Sequence, residues 1–211
     1  MSNQTFDPSE LEAQETYFLF TSLIVPRPIA WVSTMDANGV RNLAPFSYFN
    51  GCSARPPIVH FTPTTENDTL RNVRATGEFV VNIVSHELHE AMRVSSAEWP
   101  PEVDEFEKAG LATAASTVVR PPRVALAKAA MECKVRTILP MGEGHMVFGD
   151  VLRFHVSDTI LESGRVSMER LRPVGRLSGN GYSTVANVER LGVPDWAQQP
   201  KAAGGRDWKW R

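Results

Sequence analysis

Cysteine is nearly absent: Cys52 and Cys133 are the only two in 211 residues, and they form no Cys-x-x-Cys. That excludes a disulfide framework and a thiol redox motif, and both thiols are expected to be buried and reduced. No run of about 18 apolar residues is present to span a bilayer. The opening stretch is polar and acidic, without the basic, apolar and small-residue parts of a secretory signal. A cytoplasmic location with no membrane association is the expectation. Neither sign of charge dominates, with 22 Lys+Arg against 24 Asp+Glu and a formal net charge of −2. With no dense basic block, nucleic acid is not an expected partner, and any phosphate must be held locally by a few placed donors. Catalytic signatures are missing too: no GxSxG elbow, P-loop or GxGxxG opens a helix after a strand. His86 and His89 stand i, i+3 in His-Glu-Leu-His-Glu rather than i, i+4, with no third ligand at useful spacing. A metal is not expected, and an exposed helix face is the reading of that segment.

What is present is β-rich text. One domain over residues 1–194 is expected, followed by a tail, 195–211, that carries Trp196, Trp208 and Trp210. Residues 1–18 read as a lead-in with one helical turn at Pro8 and Ser9. Ile29 to Thr34 forms a strand, Asp36 to Gly39 supplies hairpin-turn chemistry, and Pro45 sends the return segment to an edge or a ligand-facing loop. A short strand, Ile58 to Phe61, precedes a two-turn helix capped by Asn67 or Asp68 and stopped by Gly77. Glu78 to Val84 is the clearest strand, and a helix from Ser85 to Val94 follows it. Another short helix spans Glu102 to Ala109. Two strands, Ala130 to Leu139 and His145 to His155, flank a turn at Pro140 to Gly144. Five or six strands with short helices between them, and no βαβα rhythm, predict an antiparallel barrel.

Small hydroxyl and amide side chains concentrate in two places. Ser33, Thr34, Asn42, Ser47, Asn50 and Ser53 fall at strand ends or turns, and Asn67, Asp68 and Thr69 open a helix. Bare N–H groups at such a helix start suit a phosphate without a basic cluster. The same residues also serve as ordinary caps and turns, so composition and spacing identify a candidate anion site and no particular ligand.

Longer stretches carry more. Arg27-Pro28-Ile29-Ala30-Trp31-Val32-Ser33-Thr34 and Asn42-Leu43-Ala44-Pro45-Phe46-Ser47-Tyr48-Phe49-Asn50 closely resemble the opening of flavin reductase-like, FMN-binding split-barrel proteins. The likeness continues through Asp68-Thr69, Gly77-Glu78-Phe79-Val80-Val81-Asn82, Asp104-Glu105-Phe106, Gly144-His145, Pro173-Val174-Gly175-Arg176-Leu177 and Tyr182, covering roughly residues 20 to 185. The resemblance implies a mainly β, six-stranded antiparallel split barrel of Greek-key character with short helical insertions. It further implies a homodimer with FMN near the subunit interface.

By the same resemblance, Arg27, Trp31, Ser33 and Thr34 belong to the FMN site, the two hydroxyls near the ribityl chain or phosphate. Ala44, Pro45, Phe46 and Ser47 run along the isoalloxazine edge. Asn50 and Ser53 form a turn at the phosphate or ribityl, and Asp68 and Thr69 form a helix start at the phosphate. Relatives often carry Lys-Asp-Thr at that start; here Asn67 replaces the Lys, and either Arg27, Arg55 or Arg71 supplies the charge or the affinity is lower. His145 lies toward the flavin and nicotinamide as a positioning residue, and Tyr182 closes over the flavin. The implied activity is hydride transfer from NADH or NADPH to FMN, with reduced flavin passed to an oxygenase partner. Two alternatives stay open: an FMN electron carrier served by a protein donor, and a flavin-free binding protein. All of this requires Ser33, Ser47, Asn50 and Thr69 to share one groove.

Overall fold

The computed structural model describes residues 2–192; the expected tail, with its three tryptophans, lies outside the described residues. The first hairpin joins β1 (Ala30–Met35) to β2 (Arg41–Phe46). Its turn is local chemistry: the Asp36 carboxylate accepts from Asn38 N–H at 2.8 Å and Val40 N–H at 2.7 Å, and Gly39 takes φ +93°. The other main strands are β3 (Phe49–Ala54), β4 (Pro57–Phe61), β5 (Glu78–Ile83), β6 (Ala129–Met141) and β7 (Gly144–Val156). All pair antiparallel in the order β2-β1-β5-β6-β7-β4-β3.

The sheet therefore has seven strands where six are expected. The extra one is β3, which places Asn50 and Ser53 on an edge strand rather than in a turn. Gly51, Cys52 and Ser53 have no apolar alternation, so only main-chain pairing with β4 makes this segment a strand, and its register shifts between Gly51 and Ser53. Cys52 is consequently exposed, and only Cys133 is buried as expected.

Strand β1 is covered on both sides. Ala30 and Val32 join Phe61, Phe79 and Val147 in the barrel interior, whereas Trp31 packs with Leu43, Met92 and Phe106 in a second cluster. The two-residue period of a strand divides its side chains between these clusters. Among the described residues five α-helices complete the frame: α1 (Ala13–Leu23), α2 (Asp68–Thr76), α3 (His89–Ser95), α4 (Glu105–Lys108) and α5 (Met168–Leu171). A full helix at α1 differs from the single turn expected. Its apolar side chains Tyr17, Phe18, Phe20 and Leu23 are exposed and only Thr21 is buried, so they give no core-facing stripe to read. The helix α2 is as expected: Asn67 Oδ1 accepts from Leu70 N–H at 2.9 Å, and Gly77 ends it at φ +70°. Finally, β8 (Val174–Arg176) pairs with Arg27–Pro28 on one side and β9 (Tyr182–Thr184) on the other. No helix among the described residues is long and apolar enough to cross a membrane.

Candidate functional site

Strand β2 lies at a sheet edge, and that edge organises the site. The Leu43 N–H turns away from β1 and donates to Glu105 Oε2 at 3.0 Å. By strand alternation Pro45 faces the same way, where its missing N–H interrupts no ladder bond. Around it, three adjoining cavities of about 180, 380 and 280 Å³ all include Pro45 in their walls. Together they make one groove, bounded by Tyr17 of α1, the start of α2, the Ser95–Trp99 segment after α3, and the β8–β9 pair.

At the α2 end a polar chain forms the floor. With the Asn42 amide oriented to satisfy its neighbours, Nδ2 donates to Glu105 Oε1 at 3.3 Å and the oxygen accepts from Thr69 Oγ1 at 2.8 Å and Thr34 Oγ1 at 3.3 Å. Asn72 Nδ2 in turn donates to Thr34 Oγ1 at 3.0 Å. Burial pushes the Glu105 carboxyl up to about 7, against the Leu43 N–H that favours its ionised form. The first N–H groups of α2, at Asp68 and Thr69, have no intrahelical acceptor and open beside this floor. Arg71 lines the same cavity and pairs with Asp68.

The other end is built by register. Arg176 lies opposite Tyr182 across β8–β9, with its guanidinium carbon 4.6 Å from the ring centroid. It donates to the Tyr182 hydroxyl and to the Gly179 carbonyl. The His89 ring sits 4.6 Å from the Tyr182 ring, so this histidine packs inward instead of lying on an exposed face; His86 is exposed and meets Thr184 Oγ1 at 3.0 Å.

A family model described as a flavin reductase like domain matches residues 22–170. The chain belongs to this family. Among solved structures it is similar to nitrilotriacetate monooxygenase component B from Bacillus cereus, at 34% identity and TM-score 0.88, covering 90% of this chain and 100% of that one. It is also similar to 2-nitrobenzoate 2-nitroreductase from Pseudomonas fluorescens, at 30% identity and TM-score 0.87, covering 95% and 100%. A Shewanella frigidimarina protein with a split barrel domain shares the fold at 21% identity and TM-score 0.82, covering 91% and 100%. The flavin reductase-like chain is thus a mainly β split barrel.

Within that frame, Ala44, Pro45, Phe46, Ser47, Asp68, Thr69 and Tyr182 line the groove. Trp31, Ser33 and Thr34 do not reach it. All three are fully buried with protein partners: Trp31 Nε1 donates to Ser95 Oγ at 2.8 Å, Ser33 Oγ to the Pro122 carbonyl at 2.5 Å, and Thr34 belongs to the floor network. Trp31 and Ser33 form the wall behind the site, and Thr34 lies beneath its floor. Asn50 faces a neighbouring apolar basin, and exposed Ser53 accepts from Arg55 N–H at 3.2 Å. Of the four residues required to share a groove, Ser47 and Thr69 line it, Asn50 meets it only through the adjoining cavity that it shares with Ser47, and Ser33 does not line it. His145 is absent from the groove walls, and its Nδ1 is buried without a partner.

Arg27 borders the groove but has its donors engaged elsewhere. Nη1 bonds the carbonyls of Thr21 at 2.6 Å and Ile24 at 2.9 Å, Nη2 that of Leu177 at 3.0 Å, and Nε the Ser47 hydroxyl at 3.3 Å. Arg55 lies between β3 and β4, outside the groove walls. Arg71 is therefore the one of the three expected arginines whose charge faces the α2 end. Tyr17, Met92, Ser96, Trp99 and Glu105 also line the groove, and sequence reasoning assigned none of them to the site.

A flavin mononucleotide fits this donor set. Two bare helix N–H groups and Arg71 suit its phosphate. Three of the acids nearby are neutralised, Glu66 by Arg74 at 2.7 Å, Asp68 by Arg71, and buried Glu105 by the proton it holds up to near neutral pH, whereas Glu98 and Glu143 in the groove walls have no ion pair among the described residues.

Proposed function

We propose that this chain is an NAD(P)H-dependent flavin reductase that holds FMN in the groove and delivers reduced flavin to an oxygenase partner. The observation that carries the reading is the convergence of Pro45–Ser47, the α2 start and Tyr182 on one groove, in a chain of the flavin reductase-like family. Bound there, a flavin supplies the hydride-accepting ring, and no protein nucleophile is needed. The chain's own residues bind and orient. Asp68 and Thr69 N–H groups with Arg71 would hold the phosphate. The Pro45 carbonyl and the Ser47 hydroxyl would meet polar atoms at the ring edge. The solved relative named as a monooxygenase component B supports an oxygenase as recipient.

The test is anaerobic mixing of the FMN-loaded protein with NADH and with NADPH, following visible absorbance, with FAD titrated in parallel. Bleaching by either nucleotide is the expected result. No bleaching by either one, with fast reduction by a ferredoxin-like protein, would move the chain to the electron-carrier class.

A homodimer belongs to the same proposal. The exposed Phe20 of α1 and Ile24 just after it border an apolar basin of about 890 Å³ with Leu11, Phe49, Met141 and Met146, a surface that a second copy would cover. Sedimentation of Phe20→Glu beside the unaltered chain tests it: the variant is expected to run as a monomer, and equal dimers in both would remove α1 from the interface.

A further inference from the structure

The cavity at the β8–β9 end differs in character from the rest of the groove. Its walls are chiefly Tyr17, Ile29, Pro45, Met92 and Tyr182, and the sole charged side chain among them is Arg176. Arg176 forms no ion pair among the described residues; the two groups it donates to, the Tyr182 hydroxyl and the Gly179 carbonyl, are neutral. Several other arginines also lack a carboxylate partner, but Arg55, Arg120, Arg153 and Arg165 are exposed, Arg123 lies outside the groove walls, and Arg27 has four hydrogen bonds that engage its whole guanidinium; Arg176 alone of these is half-buried in a groove wall with donors to spare. A guanidinium carries five N–H donors in a planar fork, so Arg176 retains donors after its two contacts. A half-buried cation held in place by neutral groups, beside an aromatic wall, is a preorganised receptor for an anion attached to a ring.

We propose that Arg176 and Tyr182 form a subsite for the second substrate, a planar-ring compound that bears an anionic group. The guanidinium takes the anion while the ring packs against Tyr182, Pro45 and Met92. A phosphate on a nicotinamide nucleotide and a carboxylate on an aromatic acid share this chemistry. The inference rests on the reading that the adjoining cavity at α2 holds the flavin, which makes this end the place for the reaction partner. Tyr182 has two roles here: its hydroxyl and ring hold the guanidinium, and the side chain forms part of the cavity wall.

The experiment is calorimetric titration of the full chain with two probes, oxidised nicotinamide mononucleotide and benzoate, alongside separate FMN titrations. The chains compared are the unaltered protein, Arg176→Gln and Arg176→Lys. At least one probe is expected to bind the unaltered chain, to lose about tenfold in affinity in Arg176→Gln, and to recover part of that in Arg176→Lys. FMN affinity is expected to change far less than probe affinity, and equal thermal unfolding midpoints across all three show that the variants are folded. Which probe binds identifies the source of the anion. Undiminished probe binding in Arg176→Gln overturns the inference, as does failure of both probes on the unaltered chain, or a parallel loss of FMN affinity. Should FMN bind to none of the chains, the flavin reductase reading fails by itself, because the two probe titrations still decide the role of Arg176.

Discussion

His155 Nε2 donates to Glu132 Oε1 across 2.5 Å, and the carboxylate that receives it is fully buried. Glu132 also accepts from Thr117 N–H at 2.7 Å, Thr117 Oγ1 at 2.9 Å, Val118 N–H at 2.7 Å and Val119 N–H at 3.2 Å. It pins the 117–119 segment against β6. Burial by itself would raise this carboxyl, but the donors, led by Thr117, outweigh it and bring it down to about 2. A carboxyl held below its ordinary value contributes stability that is complete above that value and is lost as pH falls toward the folded one. The chain should therefore lose roughly 3 kcal/mol from this group as pH falls from about 4.5 toward 2. Glu132→Gln is expected to lower stability near pH 7 by a similar amount and to flatten that acid limb, as read from urea unfolding at a series of pH values.

Glu105 has the opposite sign. Its folded carboxyl, raised by burial from 4.5 to about 7, keeps a proton that the unfolded chain has already released. Stability accordingly falls as pH rises through that window, by up to roughly 3 kcal/mol. Glu105→Gln keeps an acceptor for Leu43 N–H without the charge. It is expected to be the more stable chain at about pH 8 and to lose that advantage at about pH 4. FMN affinity in the unaltered chain should weaken above pH 7 as a further negative charge enters the groove, and Glu105→Gln should show a flatter profile in a fluorescence titration.

The phosphate end can be tested from both directions. Arg71→Ala is expected to weaken FMN binding about tenfold and to reduce its salt dependence. Asn67→Lys adds a positive charge at the start of α2 and should tighten binding. It also removes the side chain that caps α2 through Leu70 N–H, so a stability loss of about 1 kcal/mol should accompany the gain. Tighter binding with no change in stability would show that the cap matters little.

Gly149 tests the core. A Cβ there would meet the Phe79 ring, with Cε1 at 2.6 Å, at a point where the β6–β7 register shifts. Gly149→Ala is expected to destabilise the barrel by about 1–3 kcal/mol in thermal or urea unfolding, leaving FMN affinity per folded molecule unchanged.

Local chemistry was legible in the sequence, and long-range placement was not. The Asp36–Gly39 turn, the Asn67 cap and the Gly77 stop depend on residues within a few positions of one another, and each formed as expected. Strand β5 announced itself through its β-branched and aromatic content. Helix α1 did not, because its apolar side chains face solvent instead of a core within the chain. Ser33 and Thr34 have the residue types of a ligand site, yet a sequence cannot show that Pro122 and Asn72 already satisfy their hydroxyls. Arg27 read as a phosphate partner for the same reason. The pairing of Arg176 with Tyr182 depends on the β8–β9 register, and the near-neutral carboxyl of Glu105 depends on what surrounds it.

Arg27 joins pieces that are distant in sequence. Through one side chain it links the C-terminal end of α1, the carbonyl of Leu177 ahead of Tyr182, and the hydroxyl of Ser47 in the groove wall. Tyr17 and Tyr182, on facing rims, are therefore yoked to a single rivet. Widening the cleft at one rim alone means rupturing several of these bonds at roughly 1 kcal/mol each. Admission and release of anything held between the rims should proceed with the two sides travelling together.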